Sequence, residues 1–194
     1  MLPFMANKSS WFLLTALLLG AAGVYGQLLN GGFEDPDIQQ DNPYGDIAAH
    51  WGRWGNWMNR ETAWEPTQSG TCLMGYHHWE IREDTSSGFY QDVTNVPAGS
   101  VCVFGLFAYK DPGTDAEFVE LRLERLGGFH VLANRTYLMK ELRASWQRLW
   151  IKATNETAGI RVLVNVKPKE LWGRNGALKF DEAELTVLPP ESSR

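Results

Sequence analysis

Val119-Glu120-Leu121-Arg122-Leu123-Glu124 alternates apolar and charged residues without interruption, and a period of two marks a β-strand with one face on a core and the other in water. Ile160, Val162, Val164 and Val166 repeat the pattern against mostly polar neighbours, so a second half-exposed strand is expected there. Glu120 and Glu124 share a strand face with Arg122 and read as ordinary solvated surface. Upstream, Val101 to Tyr109 is apolar on both faces, which suits a central strand covered on each side, and Pro97-Ala98-Gly99 before it is a turn. Further strands are expected at about 70–79, 88–96 and 146–154. Only Tyr137 to Ala144 hints at a helix, a short one. Eight or more short strands with no long helical pattern close into a sandwich or barrel.

The N-terminus reads differently. Lys8 gives a positive start, Trp11 to Val24 is an apolar run, and Val24-Tyr25-Gly26 offers a small-residue cleavage site before Gln27, the pattern of a secretory signal. The run is short of the roughly twenty apolar residues that span a bilayer, and no second run follows, so no membrane span is expected after cleavage. Residues 1–26 are therefore expected to be a signal peptide, 27–190 a single domain and 191–194 a short tail, in a protein exported to the extracellular space or a periplasm. Net charge is −5. A mildly acidic chain without a Lys/Arg cluster lacks the electrostatic footprint of a partner for nucleic acid or anionic membrane, so neutral ligands fit better.

Two local features concern stability. Cys72 and Cys102 lie in strand-like runs of the exported part, where the compartment favours a disulfide that would stabilise the fold by roughly 3–4 kcal/mol. In the last strand, Leu178 and Phe180 set one inward parity while Ala183, Leu185 and Val187 set the other. A strand changes parity only through an extra residue, so a bulge is expected near Asp181 and Glu182. Asn134-Arg135-Thr136 and Asn155-Glu156-Thr157 match the glycosylation acceptor pattern, a common tripeptide that matters only in a glycosylating host.

Asn30-Gly31-Gly32-Phe33-Glu34 near the start and Phe180-Asp181-Glu182-Ala183-Glu184-Leu185 near the end together resemble the paired end motifs of the galactose-binding-like jelly rolls, a superfamily that includes many carbohydrate-binding modules. The resemblance covers nearly all of the mature chain. It implies an all-β jelly-roll sandwich of two antiparallel sheets, with the N-terminal and C-terminal motifs close in space. It also implies a structural calcium on Glu34 and Asp181. Two carboxylates alone do not fill a calcium shell of six to eight oxygens, so backbone carbonyls or water would complete it.

Tryptophan is unusually frequent, nine in the chain, with Trp51, Trp54, Trp57, Trp64 and Trp79 crowded into one segment beside Tyr76, His77 and His78. Flat aromatic faces meet the C–H face of a pyranose, while amides and guanidinium groups take its hydroxyls. Trp51, Trp146 and Trp150 are assigned to the core. Trp54 and Trp57, in the glycine-bearing stretch Gly52–Trp57, are expected to form an exposed platform, and Tyr76, Trp79, Trp172 and Arg174 are the other candidate sugar contacts. His77-His78 makes a poor metal pair, because neighbours in a strand face opposite ways. No G-x-S-x-G, H-E-x-x-H or phosphate-binding glycine loop is present, and no catalytic residue is assigned. The expected function is secreted, non-catalytic binding of a glycan or polysaccharide. The alternatives are an extracellular structural or adhesive module with a protein partner, marked by a broad exposed apolar patch, and a small glycosidase or lyase, marked by two carboxylates facing across a cleft.

Overall fold

The computed structural model describes residues 26–37, 47–55, 57–77, 86–114, 116–169 and 176–190. Residues 1–25 of the expected signal peptide, the expected tail, and the candidate contacts Trp79, Trp172 and Arg174 lie outside them. Ten strands follow in chain order: β1 (Gly52–Trp54), β2 (Met58–Glu61), β3 (Leu73–Tyr76), β4 (Ser87–Val93), β5 (Val101–Lys110), β6 (Phe118–Arg125), β7 (Val131–Leu138), β8 (Gln147–Thr154), β9 (Ile160–Lys167) and β10 (Leu178–Leu188). They form two antiparallel five-stranded sheets, ordered β1-β4-β9-β6-β7 and β2-β3-β10-β5-β8. The expected all-β sandwich is thus the architecture seen.

The alternation read from sequence positions the core. Val119, Leu121 and Leu123 of β6 and Ile160, Val162, Val164 and Val166 of β9 point inward and are buried, against Phe104, Leu106 and Phe180 of the other sheet. At one end Phe33, Trp51 and Phe89 pack ring on ring, with centroids 5.3 to 5.6 Å apart. Each such ring stabilises the fold by about 2–3 kcal/mol through burial. Strand β5, apolar from Val101 to Tyr109, is an interior strand, hydrogen-bonded between β10 and β8. The hinted helix at 137–144 does not form. Tyr137 and Leu138 belong to β7, paired with Val119 and Phe118, and only a single 3₁₀ turn follows, Met139–Glu141. Sheet pairing overrides the local preference there.

The expected bulge is present. The β10–β5 register shifts between Asp181 and Glu184, Glu182 takes φ 51°, and the Ala183 N–H donates to the Gly31 carbonyl at 2.9 Å. The two end motifs therefore meet at the bulge, as the resemblance implies. Buried Arg60 of β2 fastens the first motif, donating to the carbonyls of Phe33 at 2.7 Å and Glu34 at 2.6 Å.

The expected disulfide is corrected: both cysteines are free and buried. Cys72 precedes β3 and Cys102 lies in β5, with β10 running between those strands. Two strand spacings separate them by about 9–10 Å before any offset along the strands is counted, beyond the roughly 7 Å a disulfide tolerates between Cα atoms. The Cys72 sulfur instead accepts a hydrogen bond from Arg60 at 2.9 Å, and burial pushes the Cys102 thiol up to about 11. Asn155, in the second acceptor tripeptide, is also buried, its amide turned inward to the Thr157 carbonyl.

Candidate functional site

The outer face of the first sheet is assembled by register from residues distant in sequence. One row runs Trp54, Gly88, Asn165, Glu120, Thr136 across β1, β4, β9, β6 and β7. The next runs Gly52, Tyr90, Leu163, Arg122, Asn134. Glycine is required at the aromatic end of both rows, since a Cβ on Gly88 would collide with the Trp54 indole and one on Gly52 with the Tyr90 ring. Trp54 and Tyr90 thus lie down over the sheet, their centroids 6.3 Å apart and their planes 36° from parallel. Arg161 sits 4.1 Å over the Tyr90 ring and holds Asp92 through two hydrogen bonds of 2.8 and 2.7 Å. That pairing holds the Asp92 carboxyl below its ordinary range.

The polar end of the face departs from expectation. Glu120 and Glu124 are buried, with 6% and 4% of their surface exposed, and are not solvated surface. Glu120 accepts from Asn134 at 3.0 Å and Asn165 at 3.3 Å and pairs with Arg122 at 2.6 Å. Burial alone would raise its carboxyl, but Arg122, Asn134 and Asn165 outweigh that and hold it below the ordinary value. Glu120 is therefore an ionised anchor of this network near neutral pH. Two buried polar atoms of this network have no partner: Nε of Arg122 and Oδ1 of Asn165. Both atoms lie beneath the surface, so they are a cost of burying the network, and the groups this face offers to a ligand are the outer part of the Arg122 guanidinium and the exposed Asn134 amide.

Of the candidate contacts proposed from sequence, Trp54 is half-buried on this face, whereas Trp57, 2% exposed, and Tyr76, 0% exposed, are core residues. The Trp54–Trp57 platform is corrected for a simple reason. The stretch read as a loop is β1, a crossing at Gly55 with φ 74°, and the start of β2, so the two indoles fall on opposite sides of the first sheet. Trp51 is core as expected. Trp150, assigned to the core, is 46% exposed on edge strand β8. From sequence, Tyr90 and Asn165 carry no assignment, Glu120 and Arg122 read as solvated surface, and Asn134 reads only as a glycosylation acceptor. Their only sequence signal is strand parity, which tells which residues share a face but not which strands are neighbours.

Glu34 and Asp181 converge on one loop, residues 67–72. Glu34 accepts from the Thr71 and Cys72 amides at 2.9 and 3.0 Å and from the Thr71 hydroxyl at 3.0 Å. Burial pulls its carboxyl upward, but these bonds prevail and leave it lowered. Asp181 is fully buried and accepts from the Gln68, Ser69 and Glu182 amides at 2.9, 3.1 and 2.7 Å. Burial pushes it up to about 6 against those bonds, and it has no cationic side-chain partner among the described residues. No group of three His, Cys, Asp or Glu side chains able to hold a metal occurs among them either. Carboxylate oxygens are ligands for hard cations, and two of them would leave most of a calcium shell to other oxygens.

No family model matches the chain, and no curated protein matches it. Among solved structures it is similar to TmCBM61 in complex with β-1,4-galactotriose, with TM-score 0.54 and 20% identity over 83% of this chain and 97% of that one. It is similar to the CBM22-1 xylan-binding domain of Paenibacillus barcinonensis Xyn10C, with TM-score 0.53 and 16% identity over 87% of this chain and 99% of that one. It also resembles part of the arabinose-bound MgGH51 α-L-arabinofuranosidase, with TM-score 0.60 and 15% identity, covering 87% of this chain but 27% of the enzyme. A cyclase from Fischerella sp. has the same architecture. The fold is thus shared with carbohydrate-binding modules, part of a glycosidase and a cyclase, and the chemistry must be argued from the face itself.

Proposed function

We propose that this protein is a secreted, non-catalytic module that binds a glycan across the outer face of its first sheet. The observation that carries the reading is the half-buried Trp54 lying over Gly88 beside Tyr90, an aromatic pair held at the end of a sheet face whose other end carries the Arg122 guanidinium and the exposed Asn134 amide. The indole and the Tyr90 phenol offer apolar surface to the C–H face of a sugar ring, and the amide and guanidinium groups take its hydroxyls. Trp79, Trp172 and Arg174 are proposed as further contacts. The likeness to modules described with galactotriose and with xylan supports this reading. Among the described residues the exposed large apolar side chains include Leu126 and Phe129 in the β6–β7 turn, Val131 and Leu138 at the ends of β7, and Trp150 on β8. Calcium at Glu34 and Asp181 is proposed as a structural ion joining the two end motifs to the 67–72 loop, on the side of the sandwich away from this face.

The test is binding to immobilised neutral oligosaccharides, galactan and xylan fragments included, by the native chain and by Trp54→Ala. A folded Trp54→Ala chain should bind about five- to tenfold more weakly, since a stacked aromatic is worth on the order of 1 kcal/mol. Unchanged affinity in a folded variant would remove this face from consideration.

A further inference from the structure

A second site lies where the two sheets meet at one side of the sandwich. Edge strand β7 of the first sheet and edge strand β8 of the second border an open groove of about 510 Å³, within the ~300–1,000 Å³ range of small-ligand sites. The groove is rigidly built. The Tyr137 hydroxyl donates to the Trp150 carbonyl at 2.8 Å and accepts from the Trp150 N–H at 2.9 Å, satisfying both free edge groups of that residue. Small side chains, Ala133 and Ala153, line the groove and leave room between the strands.

Its charge is opposite to that of the protein. Arg135 stands 4.9 Å from the Trp150 and Tyr137 ring centroids and makes one hydrogen bond, a 3.3 Å bond to the Trp150 carbonyl, so most of its donor fork is uncommitted. Lys152 lines the same groove. Neither cation has an acidic partner among the described residues, in a chain whose net charge is −5 and whose Arg125, Arg148 and Arg161 are all paired with acids. Beside them the indole of Trp150 is 46% exposed. Two unpaired cations flanking an exposed aromatic surface match a sugar ring that carries an anion.

We infer that this groove binds an anionic sugar unit, its carboxylate or sulfate on Arg135 and Lys152 and its ring against Trp150. The inference does not rest on the proposed neutral face: Asn134 borders both, but Arg135, Lys152 and Trp150 belong to the groove alone. It is tested by calorimetric binding of α-1,4-trigalacturonate, of its fully methyl-esterified form, which keeps the shape and loses the charge, and of a heparin tetrasaccharide. The acid trimer or the sulfated probe should bind at least about tenfold more tightly than the ester, equivalent to ~1.4 kcal/mol, and affinity should fall as salt rises. Arg135→Gln and the exposed Lys152→Gln should each weaken binding several-fold, and Trp54→Ala should leave it unchanged. Binding of the acid trimer alone assigns the site to uronates, and of the heparin probe alone to sulfated sugars. Equal binding of acid and ester together with no response to heparin, or anionic binding indifferent to both Arg135→Gln and Lys152→Gln, overturns the inference. Loss of anionic binding in Trp54→Ala would place it on the neutral face and overturn it equally.

Discussion

Glu120→Gln separates the electrostatic role of the buried network from its shape. In the native chain Glu120 is a triple acceptor, taking Asn134, Asn165 and Arg122. Glutamine keeps the volume but replaces one acceptor oxygen with a donor, so an amide that donated to Glu120 must turn round or lose its partner. Arg122, a third exposed, loses its charge partner but keeps some hydration. Loss of a hydrogen-bonded charge at a buried position costs about 1–3 kcal/mol, or about 2–12 °C of melting temperature in a domain this size, at ~2–4 °C per kcal/mol. The effect should depend on pH in one direction. Because the folded-state carboxyl lies below the ordinary value of 4.5, its stabilisation is complete above that value and is lost as pH falls through the folded pKa. The melting difference between native and Glu120→Gln chains should therefore be largest near neutrality and shrink below about pH 4.5. Glu120 also holds Arg122 and Asn134, the polar groups at the edge of the face, so their release should weaken neutral-glycan binding by about two- to tenfold, the worth of one hydrogen bond. Scanning calorimetry at several pH values, with binding measured well below the transition, reads both effects. A difference in melting temperature that persists undiminished in acid would refute the electrostatic account of Glu120.

Two further outcomes follow from the buried cysteines and the carboxylate-bound loop. Denaturing alkylation without reductant should label both Cys72 and Cys102, whereas the native chain should react slowly at both because they are buried; a mass matching an intact disulfide would contradict the separation of their strands. Chelation should lower the melting temperature if calcium is bound, by the equivalent of about 2.7 kcal/mol at a hundredfold excess of ion over Kd. Asp181→Asn should then remove most of the response to chelator, and a chain whose melting is the same with calcium and with chelator would leave the 67–72 loop held by hydrogen bonds alone.

What was legible in the sequence was local. The alternation at 119–124 and 160–166 gave the inward faces of β6 and β9, and the parity break at 178–187 gave the bulge, because a period of two is enforced residue by residue along a strand. What was not legible depended on which strands are neighbours. Tyr90, Glu120 and Asn165 come from β4, β6 and β9, adjacent only through the crossovers of the sheet, so Glu120 read as solvated when its neighbours in fact bury it. The Trp57 reading failed because Gly55 marks a passage between sheets and was taken for part of a surface loop. Trp150 failed for the converse reason: its strand was correctly placed, but the strand lies at an edge and its outer face is open.

Clustered tryptophans turn out to have divided duties because the sheets divide them. Trp51 closes the core against Phe33 and Phe89, Trp54 lies over the first sheet, Trp64 covers Gly75 on the second, and Trp150 borders the groove between the sheet edges. The carboxylates divide likewise. Asp181 and Glu34 hold the loop at the junction of the end motifs, while Glu120 orders the face on the opposite sheet. A change at Asp181 therefore acts on stability with little effect on the face, whereas a change at Trp54 acts on the face with little effect on the junction. That separation makes the structural ion, the neutral face and the anionic groove three independently testable claims about one small sandwich.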